Sequence, residues 1–165
     1  MPTEAPRVED RRLHVVGAAH FVVHYKRYFE YSEGDDRMDY LTKNAKPFQI
    51  DPTIHTDCSG SFRLLYFWAG APDPFGSDYK DPEGYTGTII ERGHEISRSE
   101  ARGGDAVVFG PGTGEHVATI IEGGANPVTM SFGDNPPGFY TVDADGRLPE
   151  RYFRFATHLR PGFVA

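Results

Sequence analysis

The chain carries one thiol, Cys58, in the stretch "TDCSGSF" that leads into the apolar run "FRLLYFWAGA". Thr56 and Asp57 both belong to the residue types that cap helices, so the pattern predicts a helix opening there with the thiol on its first turn. First-turn amide N–H groups have no partner inside a helix, and the positive end of the helix dipole lies beside them. Both favour thiolate over thiol. Such a thiol becomes a useful nucleophile when a base stands next to it, and histidine is the usual base. The candidate is His116 in "GEHVATI", at the head of a predicted strand directly after the Gly-rich turn "GPGTG". The plain alternative is a cysteine that only packs the core, as free Cys often does, and a histidine that heads a strand by chance.

Other patterns exclude chemistry. A single Cys forms no internal disulfide and builds no Cys₂ or Cys₄ metal site. "HFVVH" sets His20 and His24 four apart on one helical face, but it lacks the Glu of the His-Glu-x-x-His hydrolases and has no third ligand, so two ordinary helix histidines are expected and no metal or other cofactor. "GPGTGEH" is glycine-rich like a phosphate loop, yet no Lys-Ser/Thr follows, and a hairpin turn fits better. A formal net charge of −7 argues against a broad phosphate-binding face, and no nucleic acid is expected as substrate. No apolar run approaches the roughly 18 residues that span a bilayer, so stable membrane insertion is not expected. The N-terminal "MPTEAPRVEDRRLH" lacks the charged-then-apolar pattern of a secretory signal, which predicts a start in the cytoplasm.

The elements that must position Cys58 and His116 follow from periodicity. The length of 165 residues suits one domain, with residues 1–7 as a flexible tail. From Val8 to about Tyr31, Val15, Ala18, Ala19, Val22, Tyr25 and Phe29 share one helical face, which predicts a long first helix. A polar connection follows, then the helix from Thr56 or Asp57 to Gly70, the turn-rich "GAPDPFGSDYKDPEGYTG", and a short helix over Thr86 to Arg92. The second half changes period. "DAVVFG", "HVATIIEG", "PVTMSFG", "FYTVDADG" and "RYFRFATH" are short runs rich in Val, Ile, Thr, Phe and Tyr between turn residues, and they predict a five-stranded antiparallel sheet. Helices first and strands after imply an α+β fold with the helices packed on the sheet.

With these residues in view the chain resembles a family. "TDCSGSF" looks like the Asp-Cys-Ser-Gly motif of the NlpC/P60 cysteine peptidases, and "RGGDAVVFG…GEHVATIIEGG" resembles their Gly-Asp-strand-His-Val strand pair. "YFWAGAPDPFG…GYTGTII" is similar to the variant of this domain in bacteriophages of actinobacteria. The likeness covers about residues 12–140, with the Cys and His motifs in the family's order. It implies a papain-like fold, hydrolysis of a peptide bond in bacterial peptidoglycan, Cys58 as nucleophile and His116 as base. His116 would take the thiol proton or hold an ion pair with the thiolate. The Cys58 amide, helped by Ser59, would serve the oxyanion, while Asp57 caps the helix. Tyr31, in a segment similar to one preceding the site in the phage variant, could also reach the oxyanion, and His55 could line the groove.

The resemblance departs from the family at the third polar residue that orients the imidazole. This chain reads "MSFGD", with Phe132 at that position, and phenylalanine offers no hydrogen bond. Period-two alternation puts Met130, Phe132 and Asp134 on one face and turns Thr129 and Ser131 away, which makes Asp134 the expected substitute. The expected activity is therefore a peptidoglycan endopeptidase of phage lysis or tail type, reaching the wall through a lysis pore or from a virion and aided by a separate wall-targeting or virion partner. The alternatives are a catalytically silent wall-binding or virion structural module of the same fold, and an N-acetylmuramoyl-L-alanine amidase.

Overall fold

The computed structural model describes residues 9–133 and 136–164. Helix α1 (Arg12–His24) buries Val15, Ala18, Ala19 and Val22, the face that the periodicity picks out. It stops about two turns earlier than expected. After a 3₁₀ turn at Lys26–Tyr28 the chain becomes a short strand, β1 (Phe29–Tyr31), which pairs in parallel with β2 (Ile54–Thr56). The aromatic content of "YFEY" suits an extended backbone, and the partner strand lies too far along the chain for local pattern to reveal it. Between them sits a single turn of helix, α2 (Tyr40–Lys43).

Helix α3 (Cys58–Ala69) is the centre of the molecule, with only Phe67 among its twelve residues outside the fully buried class. Gly70 ends it in the left-handed conformation, φ 77°, where a Cβ would also meet the Phe163 ring at 2.5 Å. Helix α4 (Thr86–Arg92) follows the turn-rich segment.

The sheet has six strands rather than five: β3 (His94–Ile96), β4 (Ala106–Phe109), β5 (His116–Glu122), β6 (Val128–Ser131), β7 (Gly138–Thr141) and β8 (Glu150–Arg154). They lie in the order β3-β8-β4-β5-β6-β7, antiparallel throughout. The unexpected member, β3, is a three-residue edge strand bearing exposed His94 and Glu95, a composition that gives no strand signal. "FYTVDADG" divides, its second part forming the short helix α5 (Val142–Asp145). One face of the sheet packs Val108, Val117, Met130 and Phe132 against α1 and α3. The other gathers Val107, Phe109, Ala118, Ile120 and Tyr152 under Val142 of α5.

Two buried ion pairs hold these layers in place. Asp105, fully buried, accepts from Arg12 of α1 at 2.9 Å and from Arg154 of β8 at 3.1 and 2.9 Å, and the Arg102 amide donates to it at 3.0 Å. It pins α1 to the sheet, so the Asp of the Gly-Asp motif has a structural duty. Arg63 of α3, also fully buried, makes a two-pronged pair with Asp73 at 2.9 and 2.8 Å. Asp73 in turn accepts from the amides of Phe75, Ser77 and Tyr79 and so shapes the Pro-rich segment around the arginine. Burial pushes the Asp73 carboxyl up, but Arg63 and these amides outweigh it and hold it below the usual carboxylate range.

Removing Asp105 leaves Arg12 and Arg154, with side chains 12% and 27% exposed, without their shared carboxylate. Asp105→Ala is expected to lower the free energy of unfolding by about 2 kcal/mol, read from urea titrations. A loss under about 1 kcal/mol would mean that the two arginines find other partners.

Candidate active site

The start of α3 is built by Asp57. Its side chain accepts from the Gly60 amide at 2.7 Å and its carbonyl takes the Ser61 amide at 2.8 Å, which closes the first turn. Arg37, from the long connection, grips the same carboxylate through Nε at 2.8 Å and Nη2 at 3.2 Å, and Nη2 also donates to the Ser59 hydroxyl at 2.9 Å. Gly60 is required by space: a Cβ there would come within 2.0 Å of Thr56 Oγ1 and 2.9 Å of Asp57 Oδ1. The "TDCSG" run is thus a tightly interlocked turn whose product is the placement of Cys58.

The thiol is 8% exposed. Burial pushes it up, and the negative charge of Asp57 adds to this. Hydrogen bonds from the Val117 amide, the Thr86 side chain and the Ser59 amide pull the other way and are outweighed, so Cys58 titrates above the ordinary thiol range. Desolvation therefore outweighs the placement at the helix start, which by itself favours thiolate. The contact with Val117 brings the head of β5 against the first turn of α3, next to His116.

His116 is buried, and its ring stacks on Phe109 with 6.1 Å between centroids and 17° between planes. Its Nε2 lies 2.6 Å from Ser131 Oγ. Among the described residues no hydrogen bond joins the imidazole to the thiol. Burial pushes the imidazole down to about 4; the positive charge of Arg147 adds to this and Asp145 opposes it. At neutral pH both members of the candidate pair are uncharged, so the ion-pair alternative is disfavoured. The ring borders a cleft of about 430 Å³ that also touches Tyr31, Ser131, Tyr140, Asp145 and Arg147.

The remaining expected residues divide. Asp57 and Ser59 are buried in the Arg37 network, so their side chains support the turn and do not face a ligand. Tyr31 lines the cleft, edge-on to Phe132, and donates its hydroxyl to Glu33 at 2.8 Å. Burial and that hydrogen bond raise it, which keeps it a phenol. His55 lies away from the cleft lining, its Nδ1 3.4 Å from Asp36 and 3.6 Å from Glu30 on an open surface. Asp134 falls outside the described residues. The faces of β6 are reversed from expectation: Met130 and Phe132 are in the core, and Ser131 points at His116. The alternation itself was right, but its assignment to the site was inverted because Phe132 and Met130 are the apolar set and the helix layer claims them. Sequence reasoning missed Thr86, Arg37 and Ser131; only Ser131 had a usable signal, as the polar member of the alternating run "VTMSF". His20 lies tilted against the Phe139 ring, and no group of three His, Cys, Asp or Glu able to hold a metal occurs among the described residues.

No protein-family model matches the chain, and no curated protein matches it in sequence. Solved structures do. The NlpC/p60 domain of the peptidoglycan hydrolase SagA superposes with a TM-score of 0.53 at 20% identity, over 87% of this chain and 98% of that one. An NLP/P60-family protein similar to lipoprotein from Staphylococcus aureus gives 0.55 at 20% identity, over 91% of this chain and 44% of that one. A hypothetical invasion protein of Mycobacterium tuberculosis gives 0.51 at 19% identity, over 94% and 70%. The fold is that of the NlpC/P60 domains.

The neutral, buried imidazole has a thermodynamic consequence. An unfolded histidine titrates near 6.5, so as pH falls from that value towards about 4 the unfolded chain binds a proton that folded His116 refuses. Stability is fully present above pH ~6.5 and declines towards pH 4. Unfolding free energies of the wild type are expected to fall more steeply over this window than those of His116→Gln, measured by urea titration at each pH. Parallel curves would mean that His116 accepts its proton in the folded state.

Proposed function

We propose that the chain is a cysteine peptidase acting on bacterial peptidoglycan, with Cys58 as nucleophile and His116 as base. The observation that carries this reading is a buried thiol on the first turn of α3, held there by the Asp57 cap and packed against β5, whose first residue is a histidine that borders a cleft. The NlpC/P60 fold, shared with a domain of the peptidoglycan hydrolase SagA, supports the substrate class.

The chemistry starts from the neutral pair. His116 takes the thiol proton as sulfur attacks the amide carbonyl, so charge appears only with bond formation. The tetrahedral oxyanion needs donors. Asp57 occupies the Gly60 and Ser61 amides, and among the described residues no acceptor takes the Cys58 amide at the helix start, which makes it the proposed oxyanion donor. The imidazolium then gives its proton to the leaving amine. Water attacks the thioester with His116 again as base, and the thiol departs protonated. The motif likeness to phage enzymes supports a role in lysis or tail entry, with the wall reached through a lysis pore or by virion delivery. No helix among the described residues is long and apolar enough to cross a membrane.

Purified actinobacterial peptidoglycan incubated with the wild type is expected to release free amines, with fragment masses that place the cut inside the stem peptide. Cys58→Ala should reduce the rate by at least ~10³-fold. Masses of sugar chains freed of whole stems would replace the peptidase by an amidase. No release by folded wild type would support the silent wall-binding module.

A further inference from the structure

The structure carries a contact opposite to the sequence expectation: Ser131 Oγ lies 2.6 Å from Nε2 of His116. We infer that Ser131 is the positioning residue of the imidazole, accepting a hydrogen bond from Nε2–H and so leaving Nδ1 as the nitrogen that takes the proton. This deepens the reading of Cys58 and His116 as a catalytic pair and rests on it.

Four observations converge on this assignment. Thr119 pairs with Met130 across β5 and β6, and the same register sets Ser131 opposite Ala118, whose small side chain lets the serine reach along the face to His116. Position 133, directly across from His116 in that register, is glycine, and even an added Cβ there would come no nearer than 3.8 Å to Cε1 of the ring. The ring plane is fixed separately by Phe109, so a single hydrogen bond at Nε2 suffices to set the orientation. Nδ1 makes no hydrogen bond to protein among the described residues, although His116 is 6% exposed. A neutral imidazole carries one proton. If it resides on Nε2, the serine oxygen accepts it and the free lone pair belongs to Nδ1. In the opposite tautomer the basic nitrogen would be sealed by the serine hydroxyl and a buried Nδ1–H would lack an acceptor among the described residues, which costs free energy.

The serine also replaces what Phe132 cannot provide. A hydroxyl accepts one hydrogen bond without bringing a second charge into the site, which suits a pair that is neutral at rest. Its effect on catalysis passes entirely through the histidine.

The decisive readout is the tautomer, seen in nitrogen-15 chemical shifts of the His116 ring at neutral pH. In the wild type Nε2 is expected to resonate as a protonated nitrogen and Nδ1 as a bare one. Ser131→Ala should mix the two states and lower amine release from peptidoglycan about 10-fold, mainly in kcat. Ser131→Thr, which keeps the hydroxyl, should restore both. A wild type with the proton on Nδ1, or a Ser131→Ala protein whose tautomer is unchanged, would overturn the assignment. The spectrum needs no turnover, so a correct tautomer in a protein that cleaves nothing would remove the peptidase reading and leave the hydrogen bond standing.

Discussion

The carboxylate of Asp57 is the point on which the site depends. It closes the first turn of α3 through the Gly60 amide, receives Arg37 from a segment twenty residues earlier, and keeps Ser59 inside the same network. Because the turn is fixed on three sides, Cys58 has one place to be. Thr56 Oγ1 fills the space that a side chain at position 60 would need, so the turn admits only glycine there. A helix start that is exposed and loosely capped would leave the sulfur in water. Here it is carried into the interior and set against the main chain of β5, and the high cost of charging it there decides the chemistry.

That cost falls on both partners. A thiol raised by burial and an imidazole lowered to about 4 cannot exchange a proton in the resting state. The donors at the sulfur reduce the penalty without cancelling it. In the proposed mechanism proton transfer is therefore tied to attack on a carbonyl, and a substrate that shields the cleft from water would not first have to displace an ion pair. The buried Asp105 and Arg63 clusters serve this arrangement indirectly: one fastens α1 to the sheet, the other folds the Pro-rich segment that leads into α4, where Thr86 faces the thiol.

The helix at Cys58, its end at Gly70 and most of the sheet were legible because their signals are local: a capping residue, a glycine after an apolar run, and alternation between turns. β1 and β2 were not, since three-residue strands paired across more than twenty positions have no periodicity to read. β3 was hidden by its polar edge composition, and the first helix was overrun because Tyr25 and Phe29 satisfy helical spacing while lying beyond its end. Cys58 and His116 stood out by residue type and position. Their charge state did not, because the helix-start argument counts the dipole and omits the burial supplied by β5 and the neighbouring aromatic residues. Ser131 was turned away from the site on paper for a related reason: alternation tells which residues share a face, and only packing tells which face the helices take.

The most direct test of the neutral-pair account is the rate of iodoacetamide labelling of Cys58 across pH, in the wild type and in His116→Ala. The account predicts a single rise above the ordinary thiol range in the wild type, with slow labelling throughout the acidic region. A plateau of rapid labelling from about pH 4 upward that disappears in His116→Ala would reveal a resting thiolate–imidazolium pair and contradict it.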